Sequence, residues 1–143
     1  IVRANGPAAM MRSAAGIDAG ADMLSLFGDP ARLEALIENW QDVARHMVLR
    51  LRTEALHFGG DAVLSEAADR LETIIAGRDM PVDGTMPPFV PIRFRLGDGT
   101  LSLFSAISQF GSAEDIALAD WKLELFFPAN EDSRQMLTAM AGA

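Results

Sequence analysis

The chain of 143 residues has the length of one domain, and its 50% apolar composition is sufficient to build a core. Twelve Lys and Arg residues stand against 20 Asp and Glu residues, and the resulting net charge of −8 argues against direct contact with nucleic acid, because an acidic surface repels phosphate. The absence of cysteine excludes disulfides, thiolate metal ligands and cysteine nucleophiles.

The first elements predicted in chain order are a short strand over residues 1–5 and a helix that begins at Gly6-Pro7 and ends near Gly16. No apolar run reaches the roughly 20 residues that span a bilayer, and the first residues lack the pattern of a signal peptide. We therefore expect a cytoplasmic protein with no membrane partner. Because the chain opens with Ile1 and not with Met, we also expect a domain from a longer protein.

The strongest helical pattern follows Asp29, which suits an N-cap, and Pro30, which suits the first helical position. Apolar residues then recur at spacings of three and four as far as Leu51, which predicts one helix of about 25 residues. A second amphipathic helix is predicted between Gly59-Gly60 and Gly77, and the two helices are expected to pack together. Four prolines between residues 77 and 91 predict an extended connection.

The apolar period then changes from about 3.6 to 2, which predicts a β-hairpin over residues 92–107. With Asp98-Gly99 as a two-residue turn, Phe94 faces Leu103 and the apolar side chains share one side.

A third strand is predicted to end at Pro128, and a closing helix is predicted over residues 131–140. The predicted fold class is α+β, with an antiparallel sheet covered on one face by helices, in a single domain over residues 1–143. On the third strand, the side chains expected on the covered face, together with Phe94 and Leu103, are Trp121, Leu123, Leu125 and Phe127.

Three groups of segments carry a resemblance to a known family. The first is residues 1–9 (IVRANGPAA), and the second combines 26–30 (LFGDP), 39–44 (NWQDVA) and 50–52 (RLR). The third combines 103–111 (LFSAISQFG), 115–118 (DIAL) and 124–131 (ELFFPANE). Together they resemble, over almost the whole chain, the ligand-binding domain of MmyB-like transcription regulators.

The resemblance implies a PAS-like fold and an XRE-type helix-turn-helix domain N-terminal to this chain, through which DNA is bound. It also implies a fatty-acid-like ligand, as is thought of some members of the family. Two positions depart from the family pattern and alter the expected pocket shape: Asn130 stands where an acidic residue is expected, and Trp121 where a smaller one is expected.

A ligand enclosed between sheet and helices would contact the side chains that the patterns turn inward. On the long helix these are Trp40 and Met47, for which simple core packing is the competing interpretation. The candidates from the sheet and the segment before it are Phe89, Phe94, Leu103, Ser105, Ile107, Trp121, Leu123 and Leu125.

A buried carboxylate head group would need a cationic or hydroxyl partner, and His46 and Arg93 are the candidates, with Ser105 as a third. The competing interpretation of Arg93 is a position on the solvated side of the sheet. His46 and His57 are the only histidines, and neither has acidic neighbours at metal-ligand spacing, so we predict no metal site.

No nucleophile elbow, phosphate-binding loop or dinucleotide fingerprint occurs, so we predict no cofactor and no enzymatic activity. The leading hypothesis is an effector-sensing domain of a bacterial regulator that binds a small apolar or fatty-acid-like ligand. The alternative is a ligand-independent dimerisation module. It is motivated by Phe104 and Phe126, which the pattern places together on the uncovered face, where a homodimer partner could bury them.

Overall fold

A computed structural model gives the fold and describes residues 3–14, 16–17, 29–57, 59–76, 87, 89–109 and 122–142. Three antiparallel strands form one sheet in the order β1-β2-β3, so the predicted α+β class is confirmed. In chain order the elements are α1 (Gly6–Ala14), α2 (Pro30–Leu36), α3 (Trp40–His57), α4 (Ala62–Ala76), β1 (Ile92–Leu96), β2 (Gly99–Gln109), β3 (Lys122–Pro128) and α5 (Glu131–Ala141).

The first predicted helix is confirmed as α1, but the strand predicted before it is not formed over residues 3–5. The Asn5 side chain instead accepts a hydrogen bond from the Ala8 N–H at 3.1 Å, which caps the first turn of the helix. Gly16 follows the helix with a φ of +63°, a left-handed conformation that favours glycine. Residues 1–2 of the predicted strand lie outside the described part of the chain.

The single long helix predicted after Pro30 is wrong, because the chain leaves the helical conformation between α2 and α3. Ile37 has extended backbone angles and forms a β-bridge with Phe94. The Glu38 N–H donates to the Arg93 carbonyl at 2.8 Å. Pairing with the sheet therefore outweighs a helical pattern that continues without interruption through these residues.

The hairpin between β1 and β2 forms, but its register differs from the predicted one by two residues. The turn is Gly97-Asp98, so Phe94 opposes Leu101, and Leu103 opposes Ile92. Gly97 has a φ of +55° at the first central position, which glycine adopts without the steric cost of a Cβ. A shift of two residues keeps the alternation of each strand, so the apolar side chains of the hairpin still share one side.

The core lies where α2 and α3 meet β1. α3 also packs along α4, and α5 packs against β2, β3 and α1. Full burial of one such aliphatic side chain stabilises the fold by about 1.5–3 kcal/mol. The buried cluster contains Leu33, Ile37, Trp40, Val43, Ala44, Val48 and Leu71, with Ile92 and Phe94 among the half-buried side chains that pack against it.

Candidate functional site

The two faces of the sheet differ in what covers them. Residues that oppose each other in an antiparallel ladder project to the same face, so the pairing of the strands defines both sets. We call inner the face that contains Ile92 and Phe94, because these side chains pack on the helical core. The inner face also carries Leu101, Leu103, Ser105, Ile107, Glu124 and Phe126, and the outer face carries Arg93, Phe104, Ala106, Leu123, Leu125 and Phe127.

The prediction that Leu123 and Leu125 share the covered face with Leu103 is wrong. Leu125 opposes Ala106 and Leu123 opposes Ser108, which places both on the outer face, where they are 41% and 46% exposed. The alternation within β3 favours the opposite assignment, because Leu123 and Leu125 alternate with charged residues. The pairing with β2 nevertheless places Lys122 and Glu124 on the face of Leu103, and Lys122 binds Glu54 of α3 there.

Three aromatic rings form a row associated with the outer face. The ring of Phe104 stacks on that of Phe127 with centroids 5.3 Å apart, and the ring of Phe89 tilts against Phe104 at 5.7 Å. Phe89, a predicted pocket residue, therefore belongs to this outer row, and it is 57% exposed. The prediction that Phe104 and Phe126 share a face is also wrong, since Phe104 opposes Phe127 and Phe126 opposes Ser105.

The two predicted helix-side residues, Trp40 and Met47, lie on the core side of α3. Trp40 lies in the buried cluster, and Met47 and Phe94 pack against it. Leu103 is fully buried, while Ser105 and Ile107 are half-buried further along the inner face. Trp121 lies outside the described residues. A ligand-contact role for these side chains stays a prediction.

A groove of about 330 Å³ runs along one side of α3. This volume is within the range of about 300–1,000 Å³ found for small-molecule sites. Of the predicted site residues that the structure describes, His46 alone lies in it. Its lining is formed by His46, Leu49, Arg50, Thr53, Glu54 and Pro87.

The polar end of this groove is an ion-paired carboxylate. Lys122 donates to one Glu54 oxygen at 2.9 Å, and the Arg50 Nε lies 3.4 Å from the other. Burial raises the pKa of Glu54, but the hydrogen bond and charge of Lys122, together with Arg50, outweigh that effect and hold this pKa below its ordinary value. The carboxylate is therefore ionised at neutral pH, between two cations.

Arg93 belongs to a different, polar cleft of about 350 Å³ at the start of α3. The Arg93 Nε lies 3.4 Å from a Glu38 carboxylate oxygen. In the same cleft, the Asn39 side chain donates to the Pro91 carbonyl at 2.8 Å and accepts from the Arg93 N–H at 3.0 Å. The two predicted head-group contacts, His46 and Arg93, are thus not brought together.

Several groove residues were not predicted. His46, Arg50 and Thr53 recur at spacings of four and three residues, which would have indicated a shared face of the helix next to its buried apolar residues. Arg50 and Glu54 are four residues apart, the spacing of an ion pair on a helix. Lys122 joins Glu54 from a distant part of the sequence, and no local pattern indicates that contact.

Two further properties concern only the part of the chain that the structure describes. Within it, no group of three or more His, Asp or Glu side chains is arranged to hold a metal ion. Among the same residues, none of the helices combines the length and the apolar character needed to cross a membrane.

Comparison with family models identifies the family of this chain. A family model described as the MmyB-like transcription regulator ligand binding domain matches residues 1–140. Searches of curated proteins and of solved structures give no significant match.

Proposed function

Because this chain belongs to the family of MmyB-like transcription regulator ligand binding domains, we propose that it binds a small apolar or fatty-acid-like effector in the groove beside α3. As a family member it is a regulatory ligand-binding domain of a transcription regulator. Such a domain acts by binding, and we infer that it has no catalytic activity and works in the cytoplasm. Contact with DNA would belong to a helix-turn-helix domain elsewhere in the regulator, in keeping with the net charge of −8.

The observation that carries this proposal is the combination of an apolar lining with a cationic end. Leu49 and Pro87 line the groove, and an apolar chain would bury against them. Arg50 in the lining and Lys122, which binds Glu54, place two cations beside this carboxylate. A carboxylate head group would be attracted there.

Regulation requires that the effector prefer one of two states of the domain. Ligand held against α3 would favour one position of that helix relative to the sheet. The DNA-binding domain would respond to the surface that this position presents.

The groove is tested with dodecanoate as the probe and native mass spectrometry as the readout. We expect Leu49→Glu to abolish the bound mass, because a second carboxylate in the lining repels the probe. Leu56→Glu is the matched control, since Leu56 lies on the same helix but is 81% exposed and outside the groove. Equal binding by wild type and Leu49→Glu, or no ligand bound from a wider lipid and metabolite panel, would overturn the proposal.

The second candidate function, a dimerisation module, is favoured by the exposed apolar side chains of the outer face. Phe127 and Phe126 are neighbours of the same type with nearly equal exposure, 41% and 40%, but they lie on opposite faces. In light scattering we expect Phe127→Ser to convert a wild-type dimer to a monomer and Phe126→Ser to leave it intact. A monomeric wild type, or the same result for both variants, removes support for this function.

A further inference from the structure

The start of α3 is fixed to the sheet by what we call the clasp, the contact of residues 37–39 with β1. Asn39 is only 8% exposed, and its side chain bonds to both Pro91 and Arg93. The Glu38 N–H adds a bond to the Arg93 carbonyl, and Ile37 is 4% exposed in the core. Because water has little access to these bonds, opening them would leave buried polar groups unpaired, so this end of α3 is rigid.

The other end of α3 is connected to the sheet by a contact of a different kind. Glu54 binds Lys122 of β3 at 2.9 Å, and the two side chains are 26% and 37% exposed. Salt and water compete with a half-exposed ion pair, and the lysine stem is flexible. This contact opens without stranding a charge in the core.

α3 and α4 form one unit. Leu51 and Ala55 of α3 and Ala68 and Leu71 of α4 are buried, and the two helices pack along each other. Arg52 of α3 also binds the α4 carboxylates of Asp69 at 2.6 Å and Glu72 at 2.8 Å. A displacement of α3 therefore carries α4 with it.

About 22 Å of helix separates Asn39 from Glu54 at a rise of about 1.5 Å per residue. The groove lining on α3 begins at His46 and ends at Glu54, so it lies between the two attachments. A small rotation at the clasp produces its largest displacement at the Glu54 end.

We propose that the α3–α4 pair pivots about the clasp and that the Glu54–Lys122 ion pair is the latch that holds the C-terminal end of α3, and with it the groove wall, against β3. The use of the groove by a ligand rests on the proposed function, whereas the pivot does not. Release of the latch moves the C-terminal end of α3 away from β3 and widens the groove.

Because the chain has no cysteine, spin labels can be attached at introduced cysteines and their separation measured by electron–electron double resonance. Labels at Leu56→Cys on α3 and Ser108→Cys on β2 report the latch end, and both positions are exposed. We expect one distance in the otherwise unchanged chain and an additional, longer one with Lys122→Gln or in 1 M salt. Lys122→Arg, which keeps the charge, should restore the single distance.

Two controls isolate the latch. Labels at Ala35→Cys and Asp98→Cys report the clasp end and should not respond to Lys122→Gln. Arg70→Gln breaks a more exposed ion pair, with Glu66 inside α4, and should change neither distance. An unchanged distance between Leu56 and Ser108 in Lys122→Gln, or an equal change at the clasp end, overturns the pivot.

Nile red, a neutral apolar dye, separates this inference from the proposed function. We expect its release rate to rise several-fold in Lys122→Gln, because the displaced groove wall holds the dye less closely. If the distance changes but wild type binds no dye, the pivot stands and an apolar ligand site in the groove fails. If the dye binds and neither its release rate nor the distance changes, the latch fails and the ligand site stands.

Discussion

The inner face of the sheet along β2 and the outer face along β3 carry similar apolar residues in different surroundings. Leu101 and Leu103 on the inner face are fully buried, while Leu123, Leu125 and Phe127 on the outer face are each more than 40% exposed. Hydrophobicity alone does not distinguish these side chains. The choice of face does not explain the difference either, because Phe126 on the inner face of β3 is 40% exposed. Leu101 and Leu103 lie on the central strand, whereas β3 is an edge strand of the described sheet. Burial on a sheet is therefore decided by tertiary contacts as much as by residue type.

Of the substitutions that test this difference, truncation of a buried side chain on the inner face should lower the free energy of unfolding most. Leu103→Ala should lower the free energy of unfolding by about 3 kcal/mol, because it leaves a cavity beside Ile92 and Pro128. Leu125→Ala on the outer face should cost less than about 1 kcal/mol. Urea unfolding measures both, and equal losses would contradict the difference in burial between these two positions.

The clasp should give the next largest loss of stability. It joins the start of α3 to β1, the edge strand on which the helical core packs. Asn39→Ala removes two hydrogen bonds at a buried position and should cost about 2 kcal/mol. Asn130→Ala, which removes the N-cap bond to Ser133, should cost about 1 kcal/mol. Thermal unfolding compares the two variants. A smaller loss of stability for Asn39→Ala than for Asn130→Ala would show that the clasp does not hold α3.

The register that assigns side chains of β1 and β2 to the two faces depends on the turn at Gly97. Gly97→Ala should cost about 1 kcal/mol, because a Cβ is disfavoured at positive φ although no neighbouring atom lies within 4 Å. Gly6→Ala, at an equally open position without positive φ, should stay within about 0.5 kcal/mol of wild type in chemical unfolding. Equal costs for both substitutions would contradict the turn geometry.

The smallest effect concerns pH and the ion pair that joins α3 to β3. The pKa of Glu54 is lower in the folded chain than its ordinary value of 4.5, so its contribution to stability is present above that value. The contribution is lost as the pH falls through the folded-state pKa. The stability difference between wild type and Glu54→Gln should therefore shrink below pH 4.5.

Glu131 supplies the control for this titration. Arg134 and then Gln135 hydrogen-bond its carboxylate and lower the pKa of Glu131 to about 2. The effect of Glu131→Gln should accordingly persist to a lower pH than that of Glu54→Gln. Urea unfolding at several pH values measures both curves, and a Glu54→Gln difference that does not depend on pH would contradict the ionised pair.

Much of the fold was predictable because local patterns determine it. The period of apolar residues identified α4 and the strands, and the Asp29-Pro30 signal identified the start of α2. The break at Ile37 was not predictable, because its cause is the edge of β1 more than fifty residues later. The hairpin turn was misplaced by one position, since Gly97 and Gly99 both satisfy the local requirement for a turn.

The candidate site was less predictable than the fold. Alternation identified two sets of side chains on β3, but only pairing with β2 shows that Phe126, and not Leu125, lies on the face of Leu103. The ion pair of Lys122 with Glu54 joins residues far apart in sequence, so it depends on the folded arrangement of α3 against the sheet.

The side-chain amide of Asn39 also has a consequence for assembly. By bonding to Pro91 and Arg93 it takes the place of a peptide group from a neighbouring strand, so the outward edge of β1 is closed to further strands there. Among the described residues, no strand pairs with the far edge of β3. With the β1 edge closed, a further strand could pair only at the edge of β3, so the sheet cannot extend into an unlimited ladder of copies.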